Sequence, residues 1–255
     1  MILAIDCGNS RVKWGWCAPP LDPVSPVDWV ALGAVAIGDL AQLPEAWGFK
    51  EDPEAVVIAN VAGQAVALEL AQGLKKFRVA PWWIVPGAAQ CGVINAYADP
   101  ARLGADRWAA LIAARALHAG DCLVVMAGTA TTIDVLSGSG EFRGGLIVPG
   151  ERLMKHALAE RTAGLPLAGG AITEFPRDTG DAIETGCFFA QLGAIERMFT
   201  RLSGAGMCLL SGGAAGRMAA HLNIPVRVVD NLVLEGLIRM VNLVNWGQSH
   251  IKLNN

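Results

Sequence analysis

MILAIDCGNSRVKWGW, residues 1–16, sets a short apolar run against an alternating one. Ile2 to Cys7 is apolar but for Asp6 near its end, and Gly8, Asn9 and Ser10 make a turn of small residues. From Arg11 to Trp16 basic and apolar residues alternate. That places Val12, Trp14 and Trp16 on one face of a strand and Arg11 and Lys13 on the other. The pattern predicts a β-hairpin whose turn residues tolerate unusual backbone angles and present their N–H groups. A carboxylate entering such a turn does nothing for the hairpin, and it repels phosphate unless Mg2+ lies between them. Asp6 beside bare backbone donors therefore points to a metal–triphosphate site. An ordinary hairpin with one exposed acid accounts for the same residues, so support must come from elsewhere in the chain.

Composition narrows the class. The 255 residues are 53% hydrophobic with a mean hydropathy of +0.41, enough for one large domain or two lobes with an extensive core. No uninterrupted apolar run reaches the ~18 residues of a membrane span. The N-terminus carries no basic leader and has Asp6 inside its apolar stretch, which argues against a secretory signal. A net charge of −3 without a basic block offers no electrostatic case for nucleic acid. The six cysteines (Cys7, Cys17, Cys91, Cys122, Cys187, Cys208) are scattered without a C-x-x-C pair. Reduced, mostly buried thiols in a cytoplasmic protein are expected, in place of a disulfide frame or a zinc site. The four histidines (His118, His156, His221, His250) are equally dispersed, with no metal-ligand spacing.

After the hairpin, Ala18 to Val27 is a proline-rich loop, Trp29 to Ile37 a third strand and Asp39 to Trp47 a short helix. Glu54 to Val61 is a buried strand, Gln64 to Lys75 a helix and 80–86 another short strand. Three strands followed by strands alternating with helices predict an α/β lobe with a mixed sheet. In CGVINAYADPARLGADRWAALIAARAL (residues 91–117) a helix is expected from about Ala105 to His118, with Trp108, Leu111, Ile112 and Ala116 as its apolar stripe. Asp106 and Arg107 fall in its first turn. The helix dipole and free N–H groups explain an acid there, but they disfavour Arg107. A base beside a carboxylate or phosphate clamp suits the pair better. Tyr97, the only tyrosine, lies upstream in the same loop.

A second lobe is expected from near Asp121. Cys122 to Met126 is a strand, Ala127 to Thr132 a turn of small and hydroxyl residues, and Ile133 to Leu136 a second strand, with a third over 142–149. This repeats the plan of the opening hairpin, with Gly128 and Thr129 in the places of Gly8 and Asn9. Two such hairpins facing one another would grip a polyphosphate from both sides. A helix follows over Glu151 to Ala159, then a loop over 161–178 and a long helix over about Asp181 to Leu202. Cys208 to Leu210 is a strand ending in Ser211-Gly212-Gly213-Ala214-Ala215-Gly216, small residues that admit a purine or ribose or simply pack tightly. Pro225 to Val229 is the last strand. Leu232 to Val244 is apolar almost all round, which predicts a buried helix between lobes or against a partner chain. The tail from Asn245 is polar and expected to fray.

Together these stretches resemble the type III pantothenate kinases of the acetate and sugar kinase/Hsc70/actin superfamily. The matching motifs are Asp6-Cys7-Gly8-Asn9-Ser10, Gly104-Ala105-Asp106-Arg107 and Gly128-Thr129-Ala130-Thr131-Thr132, with the stretch Gly144 to Gly150 and Ser211 to Gly213. The resemblance covers nearly the whole chain. It implies an α/β fold of two actin-like (ribonuclease H-like) lobes, residues 1–118 and 119–255, with mixed sheets flanked by helices and an ATP cleft between them. It also implies ATP-dependent phosphorylation of the terminal hydroxyl of pantothenate, the first step towards coenzyme A. On that basis Asp106 is the base, and Tyr97, Gly104, Ala105, Asp106 and Arg107 line the pantothenate site with Arg107 on its carboxylate. Asp6, Cys7, Gly8, Asn9, Ser10, Arg11, Val12, Lys13 and Thr129 hold ATP, with Asp6 facing Mg2+. Thr179 matches a substrate contact supplied across a homodimer, whose interface the helix at 181–202 would suit. Such enzymes hold a monovalent cation, K+ or NH4+, on an aspartate two residues before the glycine of the G-T-A-T-T motif. This chain has Met126 there.

Two other readings accompany the kinase. One is a kinase of the same fold acting on another small hydroxy acid or sugar. The other is a catalytically idle nucleotide-binding relative with a regulatory role, against which Asp6, Asp106 and Arg107 argue. An ATPase that activates an iron–sulfur enzyme lacks the cysteine ligation pattern.

Overall fold

The protein is described by a computed structural model that covers residues 1–19, 25–48, 51–162, 164–165, 167 and 169–243. Its opening hairpin follows the alternation of the sequence. Strand β1 (Ile2–Cys7) pairs antiparallel with β2 (Arg11–Cys17), with Asp6 opposite Lys13 and Cys7 opposite Val12. β3 (Trp29–Ala36) adds antiparallel to β2. β4 (Ala55–Asn60) and β5 (Trp82–Trp83) extend the other side in parallel, which gives the order β3-β2-β1-β4-β5. Leu3, Ile5, Cys7, Val12, Trp14 and Trp16 all face one side. They pack there with Leu40, Leu43, Trp47, Leu70 and Leu74.

Several elements depart from expectation. The predicted helix at 39–47 is a 3-10 turn, Ile37–Gln42, bent at Asp39, then a single helical turn, α1 (Leu43–Ala46). Pro44 sits in the first turn of α1, where its missing N–H costs nothing, and it prevents one continuous helix from forming. Helix α2 (Gln64–Leu74) matches its prediction. The strand expected over 80–86 shrinks to two residues between Pro81 and Pro86. An unexpected hairpin follows, β6 (Ala89–Gln90) and β7 (Val93–Asn95), before a 3-10 turn over Pro100–Arg102 and helix α3 (Ala105–Leu117).

A second unit repeats the plan. β8 (Cys122–Ala127) pairs antiparallel with β9 (Ala130–Leu136), which neighbours β10 (Glu141–Pro149). The turn is only Gly128 and Thr129. The β-branched Thr131 and Thr132, expected in the turn, belong to the strand, which suits them better. Helix α4 (Glu151–Arg161) leads to α5 (Thr179–Phe199), which starts two residues earlier than expected because Asp178 caps it through the N–H of Asp181 at 2.9 Å. β11 (Met207–Ser211), α6 (Ala215–Ala219) and β12 (Val226–Val228) follow, with β11 parallel to β8 and β12 parallel to β11. The order β10-β9-β8-β11-β12 is that of β3-β2-β1-β4-β5. Phe188, Leu192 and Ile195 of α5 join the core of this unit. The apolar stripe expected to serve a dimer interface is thus used within the chain, although Phe189 remains 46% exposed.

Compact unit 1 comprises Met1–Ala119, Gly140–Phe142 and the chain from Asn231. Unit 2 comprises Gly120–Ser139 and Arg143–Asp230. The last helix, α7 (Leu232–Leu243), therefore belongs with unit 1, where it packs on α3, β1 and β4. Its all-round apolarity is answered by burial of Leu232, Leu234, Leu237, Ile238 and Met240. Two charges are buried with them, Glu235 and Arg239, joined to each other at 2.5 Å. Glu235 also accepts from the N–H of Val27 (3.0 Å), and Arg239 donates to the Ser25 carbonyl (2.9 Å). Most polar atoms of this buried pair are answered in this way, as such a pair requires, while Arg239 Nε is buried without a partner among the described residues. The expected fraying from Asn245, residue 244 and part of the loops at 18–27 and 161–178 lie outside the described residues. Among those described, no helix is long and apolar enough to cross a membrane, and all six cysteines are free thiols.

Gly236 is where α7 meets α3. A Cβ there would overlap the Ala109 carbonyl, so the usual gain of about 1 kcal/mol from Gly→Ala in a helix should be reversed. Gly236→Ala is expected to destabilise by roughly 1–3 kcal/mol or more through overpacking, read as a fall in melting temperature. A variant as stable as the parent would show that the helices can separate without cost.

Candidate active site

β1 carries Asp6 to the mouth of the first turn, half-buried on the sheet face opposite the Trp14 and Trp16 side. The turn is closed by the Gly8 N–H on the Arg11 carbonyl (3.1 Å) and fixed to the chain beyond β3 by the Ile37 N–H on the Ser10 carbonyl (3.1 Å). Asn9 and Arg11 are exposed, and Gly8, Ser10 and Lys13 half-buried. Cys7 and Val12 point their side chains into the core, so only their backbone can meet a ligand. Burial, and then the charge of Asp6, push the Cys7 thiol up to about 12, which makes it chemically inert. Asp6 itself is pushed up to about 7, first by burial and then by the charge of Asp106, against the pull of Lys13. An acid so placed favours a cation beside it. The residues present therefore fit Mg2+, with Asp6 as its protein carboxylate.

Asp106 stands in the first turn of α3, and its Oδ1 accepts from the Arg107 N–H at 2.8 Å. Gly104 precedes the helix because a Cβ there would lie 2.6 Å from that oxygen. Burial raises the Asp106 pKa, opposed by the Arg107 N–H and then by the Arg107 charge. Arg107 is only 5% exposed. Its Nη1 donates to the Tyr97 hydroxyl at 2.9 Å, and its guanidinium lies 5.8 Å from the centre of the Tyr97 ring and 5.7 Å from that of Phe142. This resolves the puzzle of a cation at a helix N-terminus: aromatic faces and a phenol hold it where the dipole does not. Phe142, opposite Asn95 in the short parallel pairing of β7 with the start of β10, was not legible as a site residue. Neither was Asn95, nor Gln90, whose Oε1 accepts from the Trp108 indole at 3.2 Å. An asparagine two residues before the loop tyrosine was the one available signal, as an Asx-turn residue.

In unit 2, Gly128 and Thr129 form the tip of the second hairpin, with Gly128 exposed and Thr129 half-buried. The Gly150 N–H donates to the Thr129 carbonyl at 2.9 Å, and a Cβ on Gly150 would overlap that turn. Gly212, at φ +103°, lies equally close to Ala127. Met126 is paired with Thr132 on one side and Ser211 on the other, and the hydroxyls of both are buried without a partner among the described residues. Neutral hydroxyls beside a soft thioether do not fit a cation that prefers hard, anionic oxygen. Thr179 is exposed at the start of α5. Unit 1 thus gathers Asp6, the turn at 8–13, Tyr97 and 104–107. Thr129, Met126 and Thr179 belong to unit 2.

The raised acid at Asp6 has a consequence for stability. An unfolded Asp6 loses its proton near the ordinary value of 3.8, the folded one near 7. Between these the folded state holds the extra proton, so stability falls as pH rises through that window and the loss is complete above it. Asp6→Asn should therefore stabilise the ligand-free protein at about pH 8 by roughly 1–3 kcal/mol after allowance for solvent, read as a rise in melting temperature. The difference should vanish towards about pH 4. An equal loss of stability at both pH values would contradict the assignment.

The fold occurs in known proteins. The activator of the 2-hydroxyisocaproyl-CoA dehydratase from Clostridium difficile shares the fold at 12% identity, with a TM-score of 0.56 over 100% of this chain and 98% of that one. Much closer in sequence is the type III pantothenate kinase of Aromatoleum aromaticum, 51% identical over 240 residues, 93% of this chain and 96% of that protein. That of Nitrosospira multiformis is 46% identical over 242 residues, 93% of this chain and 90% of its own length. The family model of the type III pantothenate kinases matches residues 2–201, which include both hairpins, the start of α3 and Thr179. The chain belongs to the type III pantothenate kinases.

Proposed function

We propose that this chain phosphorylates pantothenate with ATP in the first step of coenzyme A biosynthesis, with Asp106 as base and Arg107 as anchor of the acceptor. Family membership supports the reaction. One observation supports the roles: a nearly buried arginine, oriented by the Tyr97 hydroxyl and two rings, stands next to an acid whose proton affinity burial has raised. The Arg107 fork binds the pantothenate carboxylate, and the backbone at Gly104 and Ala105 lies along the acceptor. Asp106 takes the proton of the terminal hydroxyl as its oxygen bonds to the γ-phosphorus, while the bond to the β-phosphate oxygen breaks and ADP leaves. A raised pKa makes Asp106 a better base for that transfer. The turn at Asn9 and Ser10, with the side chains of Arg11 and Lys13, binds the phosphates. Asp6 holds Mg2+, which when bound offsets charge on the transferring group.

The enzyme is proposed to be a cytoplasmic homodimer, in which Thr179 of a second copy reaches the acceptor. β10 exposes Leu146 and Ile147, α4 buries none of its residues, and Leu153 and Phe189 add apolar surface in the same unit. A second copy would cover that surface.

Asp106→Asn keeps shape and loses proton acceptance. Turnover should fall by roughly two or more orders of magnitude with the KM for ATP little changed, measured as ADP formation with and without pantothenate. Near-normal turnover would remove Asp106 from this role.

Met126 in place of a carboxylate predicts weak or absent dependence on K+ or NH4+. KCl titrated at constant ionic strength against a bulky organic cation should leave activity flat, since screening is then held fixed. Saturable activation at low potassium would show that a cation site persists without the carboxylate.

A further inference from the structure

The stretch between β5 and α3 that carries Tyr97 has little ladder of its own. It turns through Cys91 and Gly92 at φ +52° and +75° in the β6–β7 hairpin, then runs through the Pro100–Arg102 turn to α3. Backbone groups in such a stretch need side-chain partners. Asn95 supplies three. Its Nδ2 donates to the carbonyls of Gly87 (3.3 Å) and Pro100 (3.1 Å), and its Oδ1 accepts from the Tyr97 N–H (3.1 Å). Its own N–H donates to the Ala88 carbonyl at 2.8 Å. One side chain, 7% exposed, thus joins the residues before the hairpin, those before α3 and the backbone of Tyr97.

Of the three residues in this cluster, Arg107 stands on a helix and Phe142 on a strand. Tyr97 alone stands on irregular chain, and its hydroxyl must still lie within 2.9 Å of Arg107 Nη1. The bonds of Asn95 are directed at the chain on both sides of Tyr97 and at Tyr97 itself. Nothing else among the described hydrogen bonds fixes the Tyr97 backbone N–H.

We infer that Asn95 is a positioning residue for acceptor binding: it closes the loop from Gly87 to Pro100 and so holds the Tyr97 hydroxyl on Arg107. The inference rests on the proposed placing of Tyr97 and Arg107 at the pantothenate carboxylate. Asn95 has no contact with reacting atoms in this account. Its loss should appear in acceptor affinity, and only secondarily in turnover.

The test uses the full-length enzyme with Asn95→Ala, Tyr97→Phe and the double variant, each assayed against pantothenate and against ATP. Both single changes should raise the pantothenate KM by about tenfold and leave the ATP KM within about twofold. The double variant should be no worse than the larger single one, because positioning a ring without its hydroxyl gains nothing. Multiplied effects in the double variant, or a fall in kcat with an unchanged pantothenate KM in Asn95→Ala, would overturn the inference and leave the role of Tyr97 standing. An unchanged KM in Tyr97→Phe would overturn that role, and the inference with it. Asn95→Asp serves if the alanine variant does not fold. Its carboxylate faces two carbonyl oxygens when charged and can donate to one when protonated. Its pantothenate KM, relative to the parent at the same pH, should improve as pH falls from about 8 to about 6. A ratio that does not change with pH would count against the inference.

Discussion

Two carboxylates, Asp6 and Asp106, are placed where burial disfavours their charge, and the charge of Asp106 adds to the burden on Asp6. Neither placement helps the chain fold. Both suit the roles proposed for them: a cation and triphosphate at Asp6, a hydroxyl proton at Asp106. The rest of unit 1 supplies what this arrangement costs. Its sheet is packed on one face by a core rich in tryptophan and on the other by α3 and α7, which meet so closely that Gly236 has no room for a methyl group. A rigid α3 matters because it carries Asp106 and Arg107 as adjacent residues. A shift of its first turn would move the proposed base and anchor together.

The two units solve one structural problem twice. In each, a hairpin brings a turn of small residues to the end of a central strand, a third strand continues on one side and two parallel strands on the other. The turns differ by one residue, with Cys7 opposite Val12 in the first and Ala127 opposite Thr131 in the second. The second is also more crowded, with Gly150 and Gly212 against its backbone. Only the first hairpin carries an acid at its mouth; the second offers Met126 at its corresponding strand end. The repeat is therefore one of backbone design, and the chemistry placed on it is unequal.

Local pattern was enough for the hairpin of residues 2–17, for α3 from Ala105 and for the repeat at Cys122, because alternation and helical periodicity are written in consecutive residues. It failed where tertiary contacts decide. Residues 37–46 have the composition of a short helix, but Pro44 and the bend at Asp39 break them into two turns. The hairpin at 89–95 is too short to show a period, and its Cys-Gly turn is not a strong turn signal. Helix α7 could be read as buried from its apolar circumference, but not as part of unit 1, since its neighbours on α3 and β4 lie far away in the chain. At the site, Asp6, Asp106 and Arg107 were legible as unexplained charges. Asn95 and Phe142 were not, because an asparagine in a loop and a phenylalanine in a strand have ordinary explanations everywhere.

In the role proposed for it, Arg107 would make acceptor recognition specific without many charges. Placed at a helix start and nearly buried, a lone guanidinium would be costly. Tyr97 answers one N–H, and two rings answer the flat faces, and a planar fork held in this way suits a carboxylate met edge-on. Because the phenol oxygen accepts from Arg107, its own proton is available to donate. A bound carboxylate would then meet two donors of different kinds, one charged and one neutral. A lysine could match the charge but could not fill the stacked space or hold the phenol in the same orientation. In the proposed site the pairing of Tyr97 with Arg107 is thus a single recognition element, and its geometry is only as good as the loop that carries the tyrosine.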